Sequence, residues 1–500
     1  MATTTDGGRA VPDTGALVRT TDTGEVQGLA EAGTLQWRGI PYAAPPVGDL
    51  RLRAPQPAEP WTGVRDATRF GAAAPQPPGD SLTGVPATWR QGEDCLTLTV
   101  VASEGPAEHP RPVIVYLHGG AFLVGSGGSH LYRGEGLVRA TDVVYVSVNY
   151  RLGALGWLDL SAYGTAERPV DTNVGLRDQI AALQWVQRNI AAFGGDPAEV
   201  TVMGESAGAS SALAILASPL AGGLVRRAIV QSGFSDARPR EQAARAAEGF
   251  VDELGGPAAL FDAEPAAFVA AMDRLIAAGG GNLPVGPTLD DDALPVDPVA
   301  ALRDGAAADV PLLIGTNRDE GRFFQKQASI FPTSAESLDR LLGTGPAADG
   351  VRAAYRGYRS RRTVAARMGG DAVFWASSVA AAAAQSAHAP TWMYRFDFAP
   401  TALRLAGLGA THGMELAYVF GRVDSPGMRK ALSLGGARAA AGLEARMQAV
   451  WGTFARHGTA GWERYDAGLR LTRVLDATDR TVADPDAARR LAWEALAAEA

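Results

Sequence analysis

The chain has 500 residues, of which 46% are hydrophobic and 20% charged, with a net charge of −8 and a pI near 5.4. That is enough apolar material for a large core. The acidic balance, with no basic cluster to offset it, argues against a nucleic-acid or anionic-membrane partner, and no apolar run reaches the length of a membrane span.

The first fifteen residues are polar and rich in Thr, Gly and Asp. They read as a disordered tail with neither the basic nor the apolar stretch of a secretory signal, so a cytoplasmic location is the expectation. Residues 16–500 then read as one domain. Val18 to Trp37 alternates enough for a hairpin, and Pro41 to Pro60 is Pro-rich and extended. Pro112–Leu117 and Val143–Val148 are continuous apolar runs, as strands buried on both faces are. A helix follows around Leu176 to Phe193, with Leu176, Ile180, Leu183, Val186 and Ile190 at helical spacing. Asp196-Pro197 turns the chain into a strand, Val200–Met203, and Ala209–Leu216 is helical. Ala228–Val230, Pro311–Ile314 and Thr391–Phe396 are further strand candidates, and Asp484-Pro485 precedes a terminal helix over 487–498. This alternation predicts an α/β protein with a mainly parallel central sheet flanked by helices. Ala-rich helical stretches over 241–277 and 334–387 are the candidates for a cap over the strand ends.

The chemistry centres on Gly204-Glu205-Ser206-Ala207-Gly208, a serine between two glycines at a strand-to-helix turn. That is the sequence form of a nucleophile elbow. The pattern also arises by chance in a chain with 60 Gly, so its partners decide. A serine nucleophile needs a base, and the base needs an orienting carboxylate, in the chain order serine, acid, histidine. Of six histidines, His388, His412 and His457 follow Ser206 at a distance, and His412 alone sits in a loop at the right point of the alternation. The acid belongs in Ile314–Gly321, where the residues leave Asp319 and Glu320 both open. Upstream, His118-Gly119-Gly120-Ala121-Phe122 follows a strand directly. Such a loop supplies an oxyanion hole, with Gly119 allowing the turn and Gly120, Ala121 and Ala207 donating backbone N–H groups. His118 reads as a support of that loop.

Nothing points to a metal or cofactor. HExxH, paired Cys/His and Walker-type patterns are absent, and Asp290-Asp291-Asp292 reads as an acidic turn. Phe122, Leu123, Phe234, Phe323, Phe324, Phe374 and Trp375 are candidates for an apolar substrate pocket, each equally at home in the core. Trp89 is a candidate face for a cationic or aromatic alcohol group.

Taken in this order, the motifs resemble those of the type B carboxylesterase/lipase family, to which bacterial carboxylesterases and cholinesterases belong. The likeness runs from about Val18 to Tyr465. It rests on Arg38–Gly48 with Arg51, Glu93-Asp94-Cys95-Leu96, Asn149–Gly153, Asn173–Gln179, Phe193–Pro197 and the elbow. The resemblance implies an α/β-hydrolase fold, Ser206 as nucleophile, His412 as base, and Glu320 over Asp319 as acid, because the family's acid belongs to a Glu-Gly pair. It implies structural ion pairs Arg51–Glu93 and Arg151–Asp178, and places Glu205 and Ser232 around the triad. One departure stands out. Where the family's eukaryotic members carry the disulfide partner of Cys95, this chain has Ala74. Cys95 is therefore expected as a free, buried thiol.

The expected reaction is hydrolysis of a small-molecule carboxylic ester through an acyl-serine. An amidase, carbamate hydrolase or acyltransferase would use the same triad. A catalytically silent binding module is opposed by the intact serine.

Overall fold

The computed structural model describes residues 17–79, 85–105, 108–235, 237–279, 283–325, 330–358 and 360–499; the expected tail lies outside them. Its strands are β1 (Val18–Thr20), β2 (Glu25–Gln27), β3 (Leu29–Glu31), β4 (Thr34–Pro41), β5 (Val64–Asp66), β6 (Thr97–Ser103) and β7 (Arg111–Leu117). They continue with β8 (Val144–Val148), β9 (Gly195–Glu205), β10 (Arg227–Gln231), β11 (Leu312–Asn317), β12 (Thr391–Phe396), β13 (Leu471–Leu475) and β14 (Arg480–Ala483).

Eleven strands form one sheet in the order β14-β13-β12-β11-β10-β9-β7-β8-β6-β4-β3. From β8 to β13 every pairing is parallel, and the flanking strands at both edges are antiparallel. The architecture is that of an α/β hydrolase, with helices on both faces. Each buried strand is apolar on both sides because each face meets a separate core. Val113, Val115 and Leu117 of β7 join one core with the helices Val174–Asn189 and Ala207–Ala217. Ile114 and Tyr116 of the same strand join the other, against Leu443, Met447, Trp451 and Phe454 of the helix Ala437–His457.

The N-terminal hairpin expectation resolves into two. β1 pairs with β2 in a separate three-stranded sheet completed by β5, while β3 pairs with β4 on the edge of the large sheet. Asp196-Pro197 falls within the bounds of β9, where the pairing to β7 slips between Arg111 and Val113. The terminal helix spans Ala487–Glu499; Pro485 precedes it, and Asp484 takes the Arg490 guanidinium at 2.9 and 2.8 Å.

The two helix-rich stretches follow β10 and β11 in the chain. The first is Arg240–Leu254 packed on Pro265–Ala278, with Phe250 and Phe268 rings 5.7 Å apart. The second runs through Ala335–Leu342, Pro346–Ala354 and Arg361–Gly370, then a π-helical turn Asp371–Trp375 and Ala376–Ser386. Both predicted ion pairs are formed. Arg51 meets Glu93 at 2.8 and 2.5 Å, and the buried Arg151 meets Asp178 at 2.8 and 2.6 Å. Cys95 is buried and unpaired, and burial raises its thiol pKa.

Candidate active site

Parallel strands deliver their carboxyl ends to one rim, and the candidate residues gather there. Ser206 follows β9, Ser232 follows β10, Glu320 lies three residues beyond β11, and the His118 loop follows β7.

The elbow is a backbone constraint before it is chemistry. Ser206 has φ 57° and ψ −125°, outside the favoured regions for a residue with a side chain. A Cβ on Gly208 would fall 2.0 Å from Leu117 O, and one on Gly204 would fall 2.2 Å from Gly208 O. The strand and helix can therefore approach only with glycine at both positions. The Ser206 amide donates to Gln231 O at 2.9 Å, and Gln179 Nε2 donates to Ser211 Oγ at 3.0 Å on the following helix. Positive φ recurs at Ala121 (56°), Phe122 (59°) and Ser232 (52°), so backbone strain clusters at this rim.

His412 Nδ1 donates to Glu320 Oε2 at 2.6 Å. Glu320 Oε1 accepts from Ser232 Oγ and from the Asn317 amide, each at 2.6 Å. Asp319 is engaged elsewhere: its amide donates to Ala410 O at 2.9 Å, and its Oδ2 accepts from the Ala410 amide at 3.2 Å. It thereby clips the loop that carries His412 to the loop that carries Glu320. The His412 ring packs against Phe374 at 4.4 Å and Phe324 at 5.0 Å. Its Nε2 makes no hydrogen bond among the described residues and lies 3.1 Å from Glu205 Oε1. His388 is exposed and faces Arg303 O at 2.8 Å, and His457 ends an outer helix.

A third buried carboxylate completes the cluster. Glu415 accepts from Gln231 Nε2 at 3.1 Å and from Asn317 Nδ2 at 2.5 Å. Burial alone would lower the His412 pKa, but Glu205, Glu320 and Glu415 outweigh it and raise it to about 9. Burial pushes the Glu205 carboxyl up against the pull of His412, and burial with the repulsion of Glu320 pushes Glu415 up.

The loop that follows β7 is braced from beneath by Asn149–Gly153. Asn149 Oδ1 accepts from the Gly127 amide at 2.7 Å, Tyr150 Oη donates to His118 O at 2.6 Å, and the Gly153 amide donates to Phe122 O at 2.7 Å. The His118 ring stacks on Tyr150 at 4.3 Å, and burial lowers its pKa to about 4, so it is neutral. Gln76 clamps the loop from the far side, giving to Gly125 O and accepting from the Gly125 amide, both at 2.8 Å. Gly119 packs against the elbow, where a Cβ would fall 2.7 Å from Glu205 O and 3.0 Å from Ser206 Cβ. Gly120, Ala121, Glu205, Ser206 and His412 all face one mainly apolar cavity of about 250 Å³.

Leu123, Phe323 and Phe324 line that cavity, together with Phe268, Val269 and Met272 from the helix Pro265–Ala278. The structure places Phe122 against Trp157 (4.2 Å) and Phe234 against Phe374 (5.8 Å), behind the wall. Trp375 lies 5.9 Å from the Arg489 guanidinium. Trp89 packs beside Phe70 at 5.9 Å, away from the lining. Sequence reading left Glu415, Asn317 and Gln76 unassigned. A glutamate three residues past His412 and a glutamine between two prolines were the available signals. Among the described residues no group of His, Cys, Asp and Glu is arranged for a metal ion. Asp290 is taken up by Thr172 Oγ1 at 2.5 Å and Asn173 Nδ2 at 2.8 Å, while Asp291 and Asp292 pair with Arg240 and Arg177. No described helix is long and apolar enough to cross a membrane.

A strained serine, a histidine–carboxylate pair and a glycine loop on an α/β-hydrolase rim define a serine hydrolase. The chain belongs to the carboxylesterase family, whose pattern it matches over residues 15–470. It is 41% identical to the para-nitrobenzyl esterase of Bacillus subtilis over 490 residues, covering 94% of this chain and 97% of that one. It is 35% identical to the phenmedipham hydrolase of Pseudarthrobacter oxydans, covering 81% and 82%. A solved thermophilic para-nitrobenzyl esterase superposes with a TM-score of 0.85 at 39% identity, covering 95% of this chain and 99% of that chain. The protein is accordingly a hydrolase of carboxylic esters.

Proposed function

We propose that Ser206 is the nucleophile, His412 the general base and acid, and Glu320 the carboxylate that orients it. Ser206 Oγ attacks the ester carbonyl while His412 Nε2 takes its proton. The developing oxyanion lies against the amides of Gly120, Ala121 and Ala207. His412 then protonates the departing alcohol, and water repeats the steps to release the acid. Glu320 keeps the histidine proton on Nδ1 and stabilises the imidazolium. The observation that supports this reading is the 2.6 Å His412–Glu320 bond, with Ser206 and His412 both lining the same cavity.

The mainly apolar lining favours a neutral ester with apolar acyl or alcohol groups. Helices over 240–278 and 335–386 act as the cap, the first through Phe268 and Met272 and the second through Phe374 behind His412. One sheet gathers strands from Leu29 to Ala483, which supports a single domain over 16–500. The likeness to the para-nitrobenzyl esterase of Bacillus subtilis supports a bacterial enzyme, and a cytoplasmic location is part of this reading. Ser206→Ala should lower kcat for a p-nitrophenyl ester by several orders of magnitude and abolish labelling by a fluorophosphonate. Near-wild-type turnover by this variant would defeat the assignment.

A further inference from the structure

Behind the acid loop lies a second cavity, of about 300 Å³ and polar in character. Arg318, Arg322, Arg367, Arg395 and Arg489 line it, against the carboxylates of Asp319 and Asp486. Asp371 and Asp397 contribute charge from behind, which still leaves a cation in excess.

The pairing within it is uneven. Arg395 is well satisfied, by Asp397 at 2.7 Å and Asp486 at 2.9 Å, and Arg489 meets Asp371 at 2.8 Å. The other three guanidinium groups crowd around Asp319, and Arg318 also lies 3.9 Å from Asp397. Arg318 and Arg322 each stand 3.3 Å from Asp319, and Arg367 stands 4.0 Å from it. Arg367 reaches its other carboxylates no closer than 3.4 Å, at Asp371, and 3.8 Å, at Asp486. Its Nε, the atom that faces Asp371 at 3.4 Å, is buried and makes no hydrogen bond among the described residues. A guanidinium offers planar N–H pairs suited to oxyanions, and leaving them buried and unmade is costly. Asp319 Oδ2 already accepts from the Ala410 amide and from Arg318, which leaves Arg322 and Arg367 facing Oδ1 at 3.3 and 4.0 Å. Thr363 and Tyr358 add hydroxyl groups to the wall.

We propose that this cavity is a binding site for a compact oxyanion, held by Arg367 with Arg318 and Arg322. The anion supplies the acceptors that Asp319 cannot. Bound there, it steadies the Asp319–Ala410 clip and thereby the loop that carries His412. The inference does not depend on which residues perform catalysis, because binding is read directly.

The test is calorimetric titration of the full chain with sodium phosphate, and separately with sodium acetate, at ionic strength held constant with chloride. The expected result is saturable one-to-one binding of one of the two anions, with the tighter one identifying phosphate or carboxylate as the source. Arg322→Gln and Arg367→Gln should each weaken it by about tenfold or more. Arg274→Gln, which breaks only the exposed pair with Glu253, should leave it unchanged. Arg322 is one-third exposed, so its variant keeps the test alive should Arg367→Gln fail to fold. Heats indistinguishable from chloride for both anions, or wild-type affinity in the folded Arg322→Gln and Arg367→Gln proteins, would overturn the proposal.

Discussion

Replacing Glu320 by glutamine tests the proposed triad through tautomer control alone. The substitution preserves shape, so its effect comes from which atom donates. Glu320 Oε1 faces the Asn317 backbone N–H at 2.6 Å, a group that can only donate. The glutamine must therefore turn its carbonyl oxygen toward Asn317 and its NH₂ toward His412. An NH₂ there requires Nδ1 to accept, which moves the imidazole proton to Nε2. In that tautomer the ring cannot take the Ser206 proton. The imidazolium also loses a carboxylate at 2.6 Å. A carboxylate-to-amide change of this kind at a triad acid costs about 10⁴-fold in kcat, or roughly 5.5 kcal/mol at about 1.4 kcal/mol per tenfold. The assay is kcat and KM for a p-nitrophenyl ester, beside a thermal melt to show that the fold is kept. KM should change little. Glu320→Asp, which keeps the charge but shortens the reach, should fall between wild type and Glu320→Gln. A loss under tenfold for Glu320→Gln would refute the tautomer argument.

The pH profile follows from the raised His412 pKa. The base must be neutral, so kcat/KM should climb from pH 7 toward a plateau above about 9, and Glu205→Gln should move that limb to lower pH; a flat profile above pH 7 would contradict this. Arg151→Ala leaves Asp178 buried without its cation and should cost about 3–5 kcal/mol of stability in urea unfolding, whereas Arg168→Ala, which breaks an exposed pair with Asp262, should cost less than about 1 kcal/mol. A thiol reagent should titrate Cys95 only in denaturant; a native protein that reacts at once, or a mass showing a disulfide, would count against the buried free thiol.

The strands that were legible in the sequence are those buried on both faces. Pro112–Leu117 of β7 and Val143–Val148 around β8 read as continuous apolar runs, and the apolar centres of β9 to β12 as strand candidates, because both faces of these strands are largely buried. β13 and β14 escape the same reading: Arg473 interrupts the first, and the second, an edge strand, is mostly exposed. The long helix Ala437–His457 was hidden by Ala, Gly and Arg that mask its apolar stripe until Leu443, Met447 and Trp451 are seen on one core. Ser206 and His412 stood out by residue type and order. Choosing Glu320 over Asp319 needed a family pattern, because two adjacent acids in a loop differ only in which way each side chain points. The same limit explains the aromatic candidates. Phe323 and Phe324 line the cavity while Phe234 and Phe374 stand behind it, a distinction of orientation that composition does not carry.

The order β9, β10, β11 has a consequence for how this site tolerates change. Ser206 and Glu320 leave strands separated by one intervening strand, so the span between the proposed nucleophile and acid is set by two interstrand spacings, each about 4.8 Å. Backbone hydrogen bonding fixes that span, and a residue swap on either side does not alter it. The imidazole acts as a gauge block inserted into a gap of standard width, and Ser232, at the end of the middle strand, is placed to touch the acid from between them. Helices above the rim can be lengthened, exchanged or recomposed to admit other esters without resetting the gauge. A bulge or register slip in β10 would reset it at once.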